Sequence, residues 1–311
     1  MESILSKLIH RRAVSGTGQR KGARPPAAVE LASDGVVAAT GSPASFSFAP
    51  LPPGALVPGV AEANLRAPAA VADAIRQALD TVRPFKRAVS LIVPDLASRV
   101  FVLDFDALPA KPAEAVPILR FRLRKMVPFD VDRAGLGYQI LSVGKNSCKV
   151  LAAVTPATVL AEYEAAVRTA GYEPGALLPA ALVALETLAS GEDDTALFAH
   201  LSPESMTTAI TRGDDLLLYR TLVLPTDEAT RTSEIQRSVA VAAAFFEDST
   251  GAAPTRIHFA GGIDAATFAQ LAGAPELEVV ELAPHPETGA VTSLGTASLA
   301  AVTGALTGVG L

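Results

Sequence analysis

Residues 196–223 read ALFAHLSPESMTTAITRGDDLLLYRTLV. This stretch contains three runs rich in apolar and β-branched residues, at Ala196–Leu201, Met206–Thr211 and Leu216–Val223. Polar residues separate the runs, and the segment Arg212-Gly213-Asp214-Asp215 is typical of a hairpin turn. The stretch therefore predicts three consecutive strands, the last two paired as a hairpin.

The element order downstream of this stretch is repeated in the first half of the chain. Downstream, the apolar spacing predicts a helix from Glu228 to Phe246, a strand at Arg256–Ala260, a helix at Ala265–Ala272 and a strand at Leu277–Leu282. Upstream, it predicts strands at Ala28–Leu31, Val36–Thr40 and Ser45–Phe48, a helix at Pro68–Val82 and a strand at Val89–Val93. Two such α/β halves around a cleft predict an actin-like two-lobed fold, that is, a duplicated ribonuclease H-like βββαβα unit.

The predicted domain boundaries follow from this repeat. The first lobe covers 27–190, with an inserted small subdomain of strand, helix and strand at about 101–141; the second lobe covers 191–290. Residues 291–311 carry no charge, and we expect a C-terminal helix that packs back on the core. Residues 1–26 hold six basic residues against one acid and form a basic flexible arm. The arm is either a solvated tail or a contact for anionic lipid or a partner.

Composition excludes several classes of function. The formal net charge of −6 argues against a basic nucleic-acid surface. The single Cys148 excludes a disulfide framework, and the four histidines lack ligand spacing, so we predict no metal. The N-terminus has no secretory signal, which together with one free thiol favours the cytoplasm.

Four segments carry a resemblance to a known family. They are Leu91-Ile92-Val93-Pro94-Asp95, Met126-Val127-Pro128-Phe129-Asp130, the run from Val150 to Pro156, and Phe259-Ala260-Gly261-Gly262. In order and spacing they resemble PilM-like proteins, the actin-like cytoplasmic proteins of type IV pilus assembly. The resemblance implies that the inserted subdomain is placed as in FtsA. The sequence departs from the family at Gly137, where an acid is expected.

The resemblance also implies two Asp-x-Gly hairpins that hold Mg-ATP, and both are altered here. In the first, Glu30 and Ala32 stand at the Asp and Gly positions; in the second, His200 and Ser202 do. A methyl group at the Gly position obstructs close approach of a phosphate. The positions left to a vestigial ATP cleft are Ser33, Thr207, Gly261 and Gly262. We therefore predict weak or absent ATP binding, no cofactor, no catalytic residue and a lost ATPase activity.

The resemblance implies a scaffold of a type IV pilus or related secretion platform. Such a protein is cytoplasmic and peripheral to the inner membrane, and it binds the cytoplasmic N-terminal peptide of a PilN-like bitopic membrane protein. In the family the peptide lies in a groove beside the inserted subdomain, for which Pro128, Phe129 and Tyr138 are regional markers. One alternative is an ATPase switch, supported by Gly261-Gly262; another is the actin-like part of a type II secretion platform.

A basic helix precedes Pro128. It carries Arg120, Arg122, Arg124 and Lys125. These residues are either a patch that faces a membrane or an acidic partner, or a solvated helix face. The sequence leaves both interpretations open.

Overall fold

The computed structural model describes residues 25–41, 44–188, 194–213, 215–283 and 298–307. Its first sheet has the strand order β3-β2-β1-β4-β8. The elements of this first lobe are β1 (Ala27–Ala32), β2 (Gly35–Gly41), β3 (Ala44–Pro50), α1 (Pro68–Val82), β4 (Ala88–Val93), α3 (Ala157–Thr169), β8 (Glu173–Pro179) and α4 (Ala180–Ala184). Strands β1, β2 and β3 pair antiparallel, whereas β4 is parallel to both β1 and β8.

The second sheet repeats this arrangement with the order β11-β10-β9-β12-β13. Its elements are β9 (Thr195–Leu201), β10 (Ser205–Arg212), β11 (Asp215–Val223), α5 (Glu228–Thr250), β12 (Arg256–Gly261), α6 (Ala265–Ala272), β13 (Glu278–Glu281) and α7 (Leu299–Leu306). Here too the first three strands are antiparallel and the last two are parallel to the first. Two sheets with one strand order and one set of directions are a duplicated ribonuclease H-like unit, so the predicted two-lobed fold is confirmed.

The inserted subdomain is a three-stranded sheet, β5-β7-β6, with one helix. Its elements are β5 (Arg99–Phe105), α2 (Pro112–Leu123), β6 (Gly135–Val143) and β7 (Cys148–Thr155). It has its own apolar core, built around Leu119, Leu123 and Val150. The insertion is longer than the sequence predicted over about 101–141, because β7 is its central strand and pairs with both β5 and β6.

Two short apolar helices, α4 and α7, lie at the seam between the lobes. They share one buried cluster with strand residues of both lobes, such as Val37 and Phe198. Helix α7 follows the second lobe in sequence but contacts β1, β2 and β4 of the first. The approach is close at Gly304, where a Cβ would lie 2.0 Å from the carbonyl oxygen of Val183. Of the uncharged tail predicted at 291–311, residues 291–297 and 308–311 lie outside the described residues.

Two local predictions differ from the structure. Strand β8 is missing from the sequence prediction, because Pro174, Gly175 and Pro179 are typical of a loop. The sequence predicts Thr155 as the N-cap of the following helix, but Thr155 is the last residue of β7, and Pro156 is the N-cap instead. The hydroxyl oxygen of Thr155 lies 2.7 Å from the hydroxyl oxygen of Ser98. Among the residues described, none of the helices has the length and apolarity needed to cross a membrane. Residues 1–24 of the predicted arm lie outside the described residues.

Candidate functional site

The cleft between the lobes is spanned by hydrogen bonds to one carboxylate, that of Asp95. Its Oδ1 accepts from the backbone N–H of Ala181 at 2.9 Å. Its Oδ2 lies 2.9 Å from Nδ1 of His200 and accepts from the hydroxyl of Thr207 at 3.1 Å. Asp95 belongs to the first lobe, whereas His200 and Thr207 belong to the second. We call these three residues the inter-lobe bridge.

Local structure brings the bridge residues together. The buried strand β4 ends at Val93, Pro94 follows it, and Asp95 opens a short 3-10 turn that points its carboxylate across the cleft. His200 on β9 and Thr207 on β10 are direct partners in the antiparallel register, so both side chains lie on the same face of the second sheet. Both are buried, as is Asp95.

A second acid, Glu30, lies beside the bridge. It is a buried residue of β1, and its Oε2 has no hydrogen-bond partner among the described residues. The pKa of Glu30 is raised to about 8, mainly by burial; the charge of His200 opposes this rise, and the charges of Asp95 and Asp34 add to it. Glu30 is therefore mostly protonated and neutral near pH 7.

The environment of His200 favours its positively charged form. Burial by itself would lower the pKa of His200, but the charge of Asp95, the hydrogen bond to it and the charge of Glu30 together raise this pKa. A charged His200 beside Asp95, with a neutral Glu30, keeps the buried cluster close to electrical neutrality. Such a paired arrangement is what a buried set of charges requires.

The cavity at the bridge encloses only about 20 Å³. Its lining includes Glu30, Ser33, Asp95, His200 and Ser202. This volume is about that needed by one water molecule. The altered positions of both predicted phosphate hairpins line this one cavity.

A larger cavity of about 300 Å³ lies next to it in the second lobe. It is lined by Leu201, Ser202, Pro203, Arg231, Gly262 and Ile263. The guanidinium of Arg231 donates to the carbonyl oxygens of Ser202 and Pro203, and burial lowers the pKa of this guanidinium. The volume is at the lower end of the range for small-molecule sites.

The four residues predicted for a vestigial ATP cleft fall in different environments. Ser33 lines the small cavity and Gly262 the larger one. Thr207 is fully buried, with its hydroxyl committed to Asp95 and near that of Thr221. Gly261 is needed for packing, since a Cβ there would lie 2.6 Å from the ring of Phe259.

Asp95 and Glu30 are residues whose part in the cleft the sequence reasoning missed. In the sequence, Asp95 is one residue of a family-like segment, and Glu30 is a departure from a phosphate hairpin; neither pattern predicts the contact across the cleft. The available signal was a lone acid, Glu30, inside an otherwise apolar strand. A buried acid of this kind requires a partner or a raised pKa.

The three predicted partner-binding residues differ in exposure. Pro128 is exposed, and Phe129 is half-buried against the core of the inserted subdomain. Tyr138 is only 3% exposed and packs in the same core. Of the three, Pro128 offers the most surface to a peptide, and the predicted contact stays a prediction. Among the described residues, no group of three His, Cys, Asp or Glu side chains could hold a metal ion.

Comparison with known proteins gives matches among solved structures. No protein-family model and no curated protein matches the sequence. A solved structure of the PilM-PilN type IV pilus biogenesis complex matches with a TM-score of 0.73 and 22% identity over 93% of this chain and 100% of that chain. At this identity the match establishes the fold, so the prediction of a PilM-like, actin-like fold is confirmed.

Two further structures match more distantly. One is the cytoplasmic domain of EpsL, an inner-membrane component of the type II secretion system of Vibrio cholerae, with a TM-score of 0.48, 11% identity and coverage of 91% and 93%. The other is a Bacteroides thetaiotaomicron protein with an actin-like ATPase fold and unknown function, with a TM-score of 0.48, 10% identity and coverage of 85% and 94%.

Proposed function

We propose that this protein is a scaffold of a type IV pilus or related secretion platform that works without hydrolysing nucleotide. The observation that carries the proposal is the inter-lobe bridge, which joins the lobes beside the two hairpins that the family resemblance assigns to Mg-ATP. The fold shared with a chain of the PilM-PilN complex supports the pilus assignment.

The bridge disfavours Mg-ATP for two physical reasons. A triphosphate would have to displace the two bonds that His200 and Thr207 of the second lobe make to Asp95, both buried. It would also bring negative charge towards the buried carboxylate of Asp95. Removing hydrogen-bond partners from buried polar groups costs free energy, and the ligand would have to compensate for this cost with interactions of its own.

The proposed partner is the cytoplasmic N-terminal peptide of a PilN-like bitopic membrane protein. An extended peptide can bind through main-chain pairing and apolar pockets. We place it in a groove beside the inserted subdomain, near Pro128 and Phe129. The protein would then be cytoplasmic and held at the inner membrane through this partner.

Anisotropy of a labelled synthetic peptide tests this function. The peptide is the cytoplasmic N-terminus of the PilN-like protein from the same genome, titrated with the full chain with and without Mg-ATP. We expect saturable binding that Mg-ATP leaves unchanged, and loss of binding in Phe129→Asp. Because Phe129 is half-buried, Pro128→Asp serves as a second variant, with Phe85→Asp as a control at an exposed phenylalanine. Absence of binding to the unmodified chain would refute the function, and full binding by both groove variants would refute the groove.

A nucleotide-dependent actin-like ATPase switch is the second candidate. The cavity of about 300 Å³ beside Gly262 favours it, because this cavity is far larger than the small cavity at the bridge. Calorimetry with Mg-ATP and, separately, adenosine distinguishes the two functions. Saturable heat from Mg-ATP together with phosphate release would favour the switch; adenosine binding alone would mean that only the larger cavity is used.

A further inference from the structure

Helix α2 of the inserted subdomain has two faces of different character. Ala115, Leu119 and Leu123 are buried in the core of the subdomain. On another side of the helix Ile118, Phe121, Arg122 and Lys125 follow at i, i+3, i+4 and i+7, which places them along one stripe. Lys125 lies just beyond the last helical residue, where Arg124 still has helical backbone angles. We call these four residues the α2 stripe.

The α2 stripe is apolar and basic at once. Phe121 is 70% exposed and Ile118 is 38% exposed, so two large apolar side chains face outward. Arg122 and Lys125 are also exposed, and neither makes an ion pair with another described residue. An exposed phenylalanine beside two cations without ion pairs among the described residues is an arrangement that folding of the subdomain alone does not require.

The two other basic residues of this segment have structural partners. Arg120 donates to the carbonyl oxygens of Val131 and, at 3.0 Å, Ala134. Arg124 pairs with Asp132 at 2.6 Å. Both contacts fasten the helix to the segment before β6. The basic helix therefore divides into two cations that hold the helix in place and two that remain on the α2 stripe.

We propose that the α2 stripe rests on the surface of an anionic lipid bilayer. Cations near such a surface each raise affinity about fivefold, while an aromatic side chain enters the boundary between headgroups and acyl chains. The chain as a whole carries a formal charge of −6, so an anionic surface repels most of the molecule and orients it through its basic face. The cavities described above do not include this stripe, and a protruding phenylalanine suits a deformable surface better than a peptide lying in a groove.

This proposal goes beyond the scaffold function and does not depend on it. Lipid contact would fix which side of the inserted subdomain faces the membrane. It differs from a contact made by the basic residues 1–24, because it requires the side chain at position 121 itself to leave water.

A tryptophan reporter tests the contact directly. The chain contains no tryptophan, so Phe121→Trp places a single tryptophan on the α2 stripe, which can be excited selectively over the tyrosines. The matched control is Val223→Trp, at an exposed position of the second lobe. With vesicles of phosphatidylglycerol and phosphatidylcholine, we expect a blue shift of the emission from the Phe121→Trp variant. We expect no shift with phosphatidylcholine alone, and none from the control variant. Binding of the full chain to vesicles without a shift at position 121 would overturn the proposal.

Charge reversal provides a second test. In the full chain, Arg122→Glu combined with Lys125→Glu should lower vesicle affinity about 25-fold or more, given two cations worth about fivefold each. The control reverses Arg83 and Lys86, two exposed cations around the exposed Phe85. An equal loss in the control would assign binding to charge in general and overturn the role of the α2 stripe. An emission shift of the Phe121→Trp variant with polyglutamate but not with vesicles would identify an acidic peptide instead, and would equally overturn it.

Discussion

Glu30 makes the stability of the protein depend on pH. Its pKa is raised from 4.5 in the open chain to about 8 in the fold, so the folded protein keeps a proton that the unfolded chain releases. The free energy of unfolding therefore falls as pH rises from about 4.5 to 8, by about 1.4 kcal/mol per pH unit for this one group. The raised pKa of His200 acts in the same direction above its usual 6.5.

Glu30→Gln should remove the larger part of this dependence. The amide keeps the shape of the protonated acid but cannot ionise, so we expect a higher melting temperature at pH 8 and little change at pH 4.5. Calorimetric melts from pH 4.5 to 8.5 measure the slope, with the exposed Glu247→Gln as control. An unchanged slope in Glu30→Gln would show that this carboxyl is already ionised in the fold.

For single residues, the sequence shows which side chains are substituted, but it does not show which side chains come into contact. The change to Glu30 and His200 in two phosphate hairpins is visible in the chain. Their partner is not, because Asp95 and His200 are 105 residues apart and meet only when the lobes close. A pattern of residue types cannot give a side-chain distance across a cleft.

Among the connecting elements, the loop from Leu51 to Ala67 depends on one buried amide. The side chain of Asn64 donates to the carbonyl oxygens of Gly59 and Glu62 at 2.8 and 2.9 Å. Its Oδ1 accepts from Gly59 N at 3.0 Å and from the hydroxyl of Tyr163 at 3.2 Å. The loop is thereby tied both to itself and to helix α3.

Asn64→Ala should destabilise the protein by about 2–4 kcal/mol, because several buried polar groups lose their partners together. Urea unfolding measures the loss, and Asn146→Ala, at an exposed turn, should cost far less. Enhanced amide exchange in the loop should accompany the loss. If Asn64→Ala lowers the free energy of unfolding no more than Asn146→Ala does, water satisfies the hydrogen bonds that the side chain of Asn64 makes.

Helix and strand bounds were predictable where the local signals agree. Helices α1 and α6 have the predicted bounds, since apolar residues recur at helical spacing in α1 and Gly273 follows α6 in the left-handed conformation. Strand β8 was not predictable, because its pairing with β4 outweighs the loop character of its prolines and Gly175. The pairing with β4 therefore makes this segment a strand, although its local sequence is typical of a loop.

In the whole molecule, the two lobes are held together at the α4–α7 seam. Alanine in place of Gly304 would improve intrinsic helix propensity by about 1 kcal/mol. The added Cβ, however, would lie 2.0 Å from the carbonyl oxygen of Val183. A backbone atom cannot relieve such a clash by a change of rotamer. Overpacking of a core typically costs about 1–3 kcal/mol.

We therefore expect Gly304→Ala to lower the melting temperature and to increase the radius of gyration by spreading the lobes. Calorimetry and small-angle X-ray scattering measure the two effects. Gly137→Ala is the matched control, since a Cβ there has no neighbour within 4 Å. If the Gly304→Ala variant is as stable and as compact as the original protein, the seam can accommodate the extra methyl group, and the expected clash with Val183 is wrong.

The overall architecture was predictable because the order of helices and strands repeats. This repeat is recognisable even though strand β8 is missing from the prediction. The uncharged tail predicted a helix packed on the core, but its close contact with α4 was not predictable, because this contact depends on a small residue, Gly304, in a segment whose periodicity is weak. The extent of the insertion was underestimated for a related reason. Strand β7 lies beside β5 and β6 only in three dimensions.

The packing of α7 on β1 and β2 has a consequence for synthesis. These two strands emerge from the ribosome early, but the helix that covers them emerges only after the whole second lobe. At usual translation rates the interval is on the order of 10–50 seconds. During that time one face of an apolar sheet has no native cover, so the nascent chain is a natural client for chaperones until its last described helix arrives.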